Sequence, residues 1–236
     1  MKSVLLAGGL GVRLRPLTYT IPKPLLPVGE RPILEEIILR LKRFELRDIV
    51  IAVGYRAELI ETYFRDGSHL GVHVEYAHET EPLGTAGPLA LVRKQFGHSA
   101  KDSDSLLVMN GDLLTEIDMR RLIDFHEGGG NDITVVTREY QLKHPYGVIE
   151  LNGDRITSVV EKPSVVDTIN AGIYVFRWSA LELVPDGQAF EMPELLNTAI
   201  DSGCSVRAYP FAGTWLAIDG MEQLEDAARI VTAVRE

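Results

Sequence analysis

The first 110 residues alternate between short apolar runs and segments with helical spacing, and this alternation narrows the possible folds more than any other feature. Ser3-Val-Leu-Leu-Ala7, Asp48-Ile-Val-Ile-Ala-Val-Gly54 and Ser105-Leu-Leu-Val-Met-Asn110 are near-continuous apolar stretches of strand length, the pattern of strands buried on both faces. Val72-His-Val-Glu-Tyr-Ala77 alternates with the period of a strand. Between them, Pro32 precedes Ile33, Leu34, Ile37, Ile38 and Leu41, which predicts an amphipathic helix with a proline at its start. Glu58 to Phe64 and Thr85 to Phe96 predict two more helices. Such alternation implies right-handed crossovers and a Rossmann-like α/β fold, a mostly parallel mixed sheet flanked by helices on both faces. Ligands of such sheets sit outside the carboxyl ends of the strands. Gly8-Gly9 and Asn110-Gly111-Asp112 both fall at such ends.

After about residue 130 the texture changes. Strands are predicted at 133–137, 147–151, 156–160 and 169–176, with few helices between them. Asn152-Gly153 is a two-residue hairpin signal. Two helices, about 192–202 and 220–234, flank a last strand near Ser205 to Pro210. The whole chain, 1–236, reads as a single domain whose second half extends the sheet and builds a small β-rich lobe.

Composition removes several function classes. The single cysteine, Cys204, forms no internal bridge, which suits a reducing cytosol and the ordinary fate of a small buried side chain. The apolar start of the chain stops at Gly8-Gly9, too early for a signal peptide, and no window approaches the roughly 20 apolar residues of a membrane span. A soluble, cytoplasmic protein is expected. The net charge of −10 argues against a nucleic-acid partner. Between Gly8 and Pro27 the sign reverses locally, with Arg13, Arg15 and Lys23 and no acid.

Gly8, Gly9 and Gly11 directly after a buried strand let backbone N–H groups converge on an anion. By themselves they describe only a tight turn. Leu14 stands where a dinucleotide fingerprint has its third glycine, and no Gly-Lys-Ser/Thr end makes a Walker loop. Arg13 and Lys23 add a planar fork and a point charge for phosphate oxygens. Prolines 16, 22, 24 and 27 stiffen the segment that carries Lys23.

Gly8-Gly-Leu-Gly-Val-Arg-Leu-Arg-Pro-Leu-Thr18 followed by Pro22-Lys-Pro-Leu-Leu-Pro27 resembles the signature of the sugar-1-phosphate nucleotidyltransferases. The resemblance continues through Pro82-Leu-Gly-Thr-Ala-Gly87, Asn110-Gly-Asp112, Tyr146-Gly147, Glu161-Lys-Pro163 and Asn170-Ala-Gly172, nearly the whole chain. It implies a nucleotide-diphospho-sugar transferase-like fold, with residues 1–130 as the nucleotide-binding half and 131–236 as the sugar-phosphate-binding half. The implied reaction joins a nucleoside triphosphate and a sugar 1-phosphate into a nucleotide sugar and pyrophosphate. In-line attack by an oxygen that is already anionic needs no general base, so positioning and charge neutralisation carry the rate. No Ser/His/Asp or Cys/His constellation is recognisable.

The resemblance implies catalytic roles for Arg13, Lys23, Asp112 and Lys162. It places the nucleotide against Leu6, Ala7, Gly8, Gly9, Gly11, Arg13, Lys23, Glu79, Pro82, Gly84 and Thr85. It places the sugar phosphate against Gly147, Glu161, Lys162 and Asn170, with His144 and Tyr146 near enough in sequence to add selectivity. Asp112 is implied as a Mg²⁺ ligand, a hard oxygen for a hard cation. Similar enzymes end with Trp-x-Asp-x-Gly, but here Trp215-Leu-Ala-Ile-Asp-Gly220 puts Ala217 at the expected aspartate and a carboxylate two residues later. A shift of two keeps one face of an extended strand, about 6.6 Å further on. Asp219 is therefore expected to be the second metal ligand, in competition with a role as N-cap of the helix from Met221.

Where uridylyl and thymidylyl relatives carry a glutamine five residues before the matching glycine, this chain has Glu79. A carboxylate only accepts hydrogen bonds, which suits the two adjacent donors of guanine and opposes uracil or thymine. The Pro82–Gly87 wording also resembles mannose-1-phosphate guanylyltransferases, so GTP and mannose 1-phosphate or a related hexose or heptose are the expected substrates. Uridylyl, thymidylyl or cytidylyl transfer to another sugar or cyclitol phosphate stays open, as does a nucleotide-sugar-sensing domain, kept alive by Ala217. A glycosyltransferase, which would not need Lys23 at the triphosphate end, is disfavoured. The larger family members' C-terminal β-helix, with its trimerisation and acyl transfer, is not expected. A homodimer stays open.

Overall fold

The computed structural model describes residues 1–101 and 104–233. The first half holds β1 (Lys2–Leu6), β2 (Pro27–Val28), β3 (Arg31–Pro32), α1 (Ile33–Arg43), β4 (Asp48–Val53), α2 (Ala57–Phe64), β5 (His73–His78), α3 (Pro88–Phe96), β6 (Ser105–Asn110), β7 (Leu113–Thr115) and α4 (Met119–Gly128). The second holds β8 (Ile133–Lys143), β9 (Val148–Asn152), β10 (Arg155–Val160), β11 (Ser164–Arg177), α5 (Met192–Asp201), β12 (Val206–Pro210), β13 (Trp215–Ala217) and α6 (Met221–Ala233). Residue 234, where the sequence reading ends the last helix, lies outside the described residues.

One seven-stranded sheet runs through both halves in the order β12-β8-β11-β6-β1-β4-β5. β6, β1, β4 and β5 are parallel, β11 runs antiparallel between β6 and β8, and β12 is parallel to β8. Both faces are buried, as the apolar runs require. Leu5, Ile49, Ile51, Leu107 and Met109 meet residues of α1, α2, α4 and α6 on one face. Val4, Val50, Leu106 and Val108 meet α3 and α5 on the other. The strand period of two thus sends neighbouring apolar residues to opposite cores.

Three differences from the sequence reading bear on function. Helix α3 begins at Pro88, not Thr85: Ala86 and Gly87 donate their N–H groups to Phe190 O, at 2.9 and 3.0 Å, and not to a preceding turn of helix. β8 and β11 are far longer than predicted: their outer ends pair from Lys143–Ser164 inward, as an arm beyond the sheet. Their mixed polar composition there carries no alternation to read. Finally, β7 and β13 form a small ladder of their own, Trp215 opposite Thr115 and Ala217 opposite Leu113. It draws the end of the chain to the tip of β6.

Candidate active site

The carboxyl ends of β1, β4 and β6 open into a cavity of about 690 Å³. Leu6, Ala7, Gly8, Gly9, Gly11 and Arg13 form one wall, Glu79, Pro82, Gly84 and Thr85 another, and Lys23, Asp112 and Asp219 lie at one side. The glycines differ in what they permit. A Cβ at Gly8 would collide with the Glu79 carboxylate, and one at Gly11 (φ +60°) would press on Thr18 and Lys23. A Cβ at Gly9 would meet nothing within 4 Å. Gly8 and Gly11 therefore allow the chain to pack on itself, while Gly9 turns bare backbone toward open cavity. Thr18 Oγ1 donates to Gly11 O at 2.8 Å and the Tyr55 hydroxyl donates to Thr18 O at 3.1 Å, pinning the loop.

Lys23 Nζ lies between two carboxylates, 2.5 Å from Asp112 Oδ2 and 3.3 Å from Asp219 Oδ1. Arg13 reaches Asp219 Oδ1 at 3.0 Å. The Lys23 side chain is only 14% exposed, so its charge is little screened, whereas Arg13 is 75% exposed and its charge is screened by water. Two acids from distant parts of the chain thus converge on one cation, and without it they would repel.

The route by which Asp219 arrives differs from the expected one. β13 ends at Ala217, so the strand does not continue to Asp219. Ile218, fully buried, donates its N–H to Asp112 O at 3.0 Å, and Asp219 N donates back to Ala217 O at 3.1 Å. This turn, not strand alternation, aims the carboxylate. The N-cap role also falls away. Leu224 N bonds to Gly220 O at 3.1 Å, which makes Gly220 the cap, and the Asp219 side chain is engaged by Arg13 and Lys23.

Glu79 is half-buried with its carboxylate against Gly8, and its Oε2 accepts from Leu83 N at 3.1 Å. Burial pushes its pKa up, and the Leu83 N–H only partly opposes this. Thr85 lies in the cavity wall, but its hydroxyl is engaged by the protein: it donates to Glu191 Oε2 and accepts from Met192 N, each at 2.7 Å. Glu191 carries no sequence signal for this contact. Thr80, Glu81, Gly54 and Tyr55 also line the cavity and are absent from the sequence-derived set, though the first two sit inside the same loop.

Gly147, Glu161, Lys162 and Asn170 do not line this cavity. Gly147 and Glu161 are together, since a Cβ at Gly147 would lie 3.1 Å from Glu161 Oε2. Lys162 Nζ is 4.0 Å from Glu161 Oε1, and both side chains are largely exposed. Lys162 has φ +44°, a strained backbone for a side-chain-bearing residue. Asn170 donates to the Tyr174 hydroxyl at 2.7 Å and its carbonyl accepts from Gly172 N at 2.9 Å. Gly172 packs directly on Asn110, so Asn170 is held just behind the tip of β6. His144 and Tyr146 sit on the same exposed arm, Tyr146 at 77% exposure.

A mostly parallel sheet, a glycine loop with bare backbone toward a cavity, and cations facing paired acids together define a site for phosphate-bearing ligands. The family follows: the chain belongs to the nucleotidyl transferases, whose model matches residues 2–233. It is 35% identical over 223 residues to the mannose-1-phosphate guanylyltransferase catalytic subunit beta of Danio rerio, covering 92% of this chain and 61% of that protein. The chain spans about three fifths of the length of the curated relatives it matches. Among solved structures it resembles HddC from Yersinia pseudotuberculosis complexed with GMP-PN, with TM-score 0.75, 25% identity, and 98% and 99% of the two chains covered. It also resembles a structure described as a glucose-1-phosphate thymidylyltransferase from Bacillus anthracis, with TM-score 0.77, 25% identity, and 98% and 94% covered.

Proposed function

We propose that the chain transfers GMP from GTP to a sugar 1-phosphate, mannose 1-phosphate or a related hexose or heptose phosphate, releasing pyrophosphate. The observation that carries the transfer is the convergence of Arg13, Lys23, Asp112 and Asp219 beside the open backbone of Gly9. The Gly8–Gly11 loop binds the triphosphate through backbone N–H groups, and Arg13 and Lys23 neutralise charge developing on the leaving pyrophosphate. Asp112 and Asp219 suit a hard divalent cation, since both offer carboxylate oxygens at a point already held by positive charge. Mg²⁺ there would supply Lewis-acid charge stabilisation of the phosphoryl oxygens. Residues 1–130 act as the nucleotide half and 131–236 as the acceptor half. Lys162 meets the acceptor phosphate, and Glu161, Gly147 and Asn170 meet the sugar.

The choice of GTP rests on Glu79. A half-buried carboxylate with a single backbone donor has acceptor capacity left for the two adjacent donors of guanine. The 35% identity to a guanylyltransferase catalytic subunit and the GMP-PN-bound HddC neighbour support it. Pyrophosphate release measured over a matrix of nucleoside triphosphates and sugar 1-phosphates, with Mg²⁺, tests the reading. Preference for UTP or dTTP over GTP by tenfold would overturn the base assignment, and binding without turnover would make the chain a sensor.

The location proposed is cytoplasmic, since the single cysteine suits a reducing compartment; no helix among the described residues is long and apolar enough to cross a membrane. The proposed assembly is a homodimer through the arm and the β9–β10 hairpin. Tyr146, Leu151, Ile156, Val159 and Val166 are 77%, 63%, 56%, 63% and 57% exposed there. At such fractions each exposes on the order of 100 Å², so together they reach the upper end of the apolar area a monomer usually leaves uncovered. Arg138, Lys143 and Arg155 nearly balance Glu139, Glu150, Asp154 and Asp167 on this stretch, although the chain as a whole is −10. Two copies therefore meet there with little net repulsion.

A further inference from the structure

The wall that carries Glu79, Pro82, Gly84 and Thr85 is tied to the second half of the chain at residues 190–192. Phe190 N donates to Leu83 O at 2.9 Å, and Phe190 O accepts from Ala86 and Gly87. Glu191 Oε2 accepts from both the backbone N–H of Thr85, at 3.2 Å, and its hydroxyl, at 2.7 Å. Gly84, at φ +74°, lies so close that a Cβ would stand 2.8 Å from Glu191 Oε1 and Phe190 O. Leu83, the middle of this seam, is also the donor to Glu79 Oε2.

Glu191 has a second task. It is the N-cap of α5, in a capping box with Glu194: its side chain accepts from the Glu194 N–H, and Glu194 Oε2 accepts from the Glu191 N–H at 2.9 Å. Capping alone does not call for glutamate, because Asp, Asn, Ser and Thr are the favoured N-caps. The extra methylene is what lets one carboxylate span the helix end and Thr85. The residue type is explained by the bridge and not by the cap.

We propose that Glu191 is a positioning residue for nucleotide selection. It does not line the cavity, but holds Thr85 and Gly84, and through Leu83 the Glu79 carboxylate, at the places where the base is read. The inference rests on the reading of residues 79–85 as the base-binding wall. It also joins the acceptor half of the sequence to the nucleotide half through that wall.

Glu191→Asp separates the bridge from the cap. Aspartate caps the helix at least as well but is one methylene short of Thr85. The expected result is a KM for the preferred nucleoside triphosphate raised fivefold or more, kcat within twofold, a weakened GTP/UTP preference, and an unchanged or higher Tm. Amide exchange at residues 83–87 should quicken. Asp118→Ala is the matched control. Asp118 caps α4 by accepting from Arg120 and Arg121 N–H groups and does not line the cavity, so this variant should lower Tm with KM unchanged. Wild-type KM together with wild-type exchange at 83–87 in Glu191→Asp would overturn the proposal. If the wild-type enzyme turns over no nucleoside triphosphate, the proposed function fails. Exchange at 83–87 in Glu191→Asp then decides the positioning role by itself.

Discussion

Replacing Glu79 with glutamine should invert the choice of base, and the structure sets both direction and size. Leu83 N–H is fixed at 3.1 Å from Glu79 Oε2 and needs an acceptor there. In Glu79→Gln the amide carbonyl must take that place, because an NH₂ group would set donor against donor. The NH₂ is then left facing the cavity, where it opposes the N1–H and N2–H₂ of guanine and suits a pyrimidine carbonyl. Hydrogen bonds to a charged acceptor are worth about 1.5–3 kcal/mol each. The lower figure applies because Glu79 is only half-buried, so losing two costs about 3 kcal/mol, a factor on the order of a hundred in kcat/KM. The assay is kcat/KM for GTP, UTP and dTTP, with pyrophosphate release followed in the wild type and the variant. A GTP/UTP ratio unchanged within threefold would refute the reasoning. A pH series adds a second check. Burial raises the Glu79 pKa, so the ionised reader is lost at a higher pH than an ordinary carboxylate. KM for GTP should climb as pH falls through that range, and the climb should vanish in the glutamine variant.

Further outcomes follow from particular contacts. Asp219→Asn should cut turnover about a hundredfold and raise the Mg²⁺ concentration needed, while Tm changes little because the carboxylate is 40% exposed; near-normal turnover would remove Asp219 from the proposed metal site. His126 is buried, with Nδ1 2.9 Å from Thr134 Oγ1, and desolvation, aided by the Arg177 guanidinium, lowers its pKa from 6.5 to about 4. A base with a depressed pKa contributes nothing adverse above 6.5 and destabilises as pH falls toward 4, here by about 3 kcal/mol. Urea unfolding should show that loss in the wild type but not in His126→Gln, and parallel pH profiles would contradict it. Ile156→Asp with Val159→Asp should convert a dimer to a monomer in light scattering, and a wild type that is monomeric at every concentration would end the proposal of self-association.

The sheet and its helices were legible because their signal is local. The apolar runs at Val4-Leu5, Ile49–Val53 and Leu106–Met109 each fill two cores, which only a two-faced sheet permits. The spacing of Ile33, Leu34, Ile37, Ile38 and Leu41 marked one helix face, and all five are buried. The glycine loop with Arg13 and Lys23 was legible for the same reason: the residues are neighbours in sequence and their special types announce themselves.

What tertiary structure decided lies where partners are distant in sequence. That Asp219 joins Asp112 and Lys23 depends on the β7–β13 ladder and on Ile218 bonding to Asp112 O, pairings between segments about a hundred residues apart. The sequence offered a carboxylate in the right neighbourhood but the wrong reason for its aim, because a turn and not a strand carries it. Glu191 was invisible as anything but a helix start until its carboxylate was seen on Thr85. The long β8–β11 arm escaped notice because exposed paired strands need no apolar alternation. Hydrophobic periodicity records burial against the chain's own core. It does not record which distant backbone supplies a hydrogen bond, or which surface waits for a second molecule.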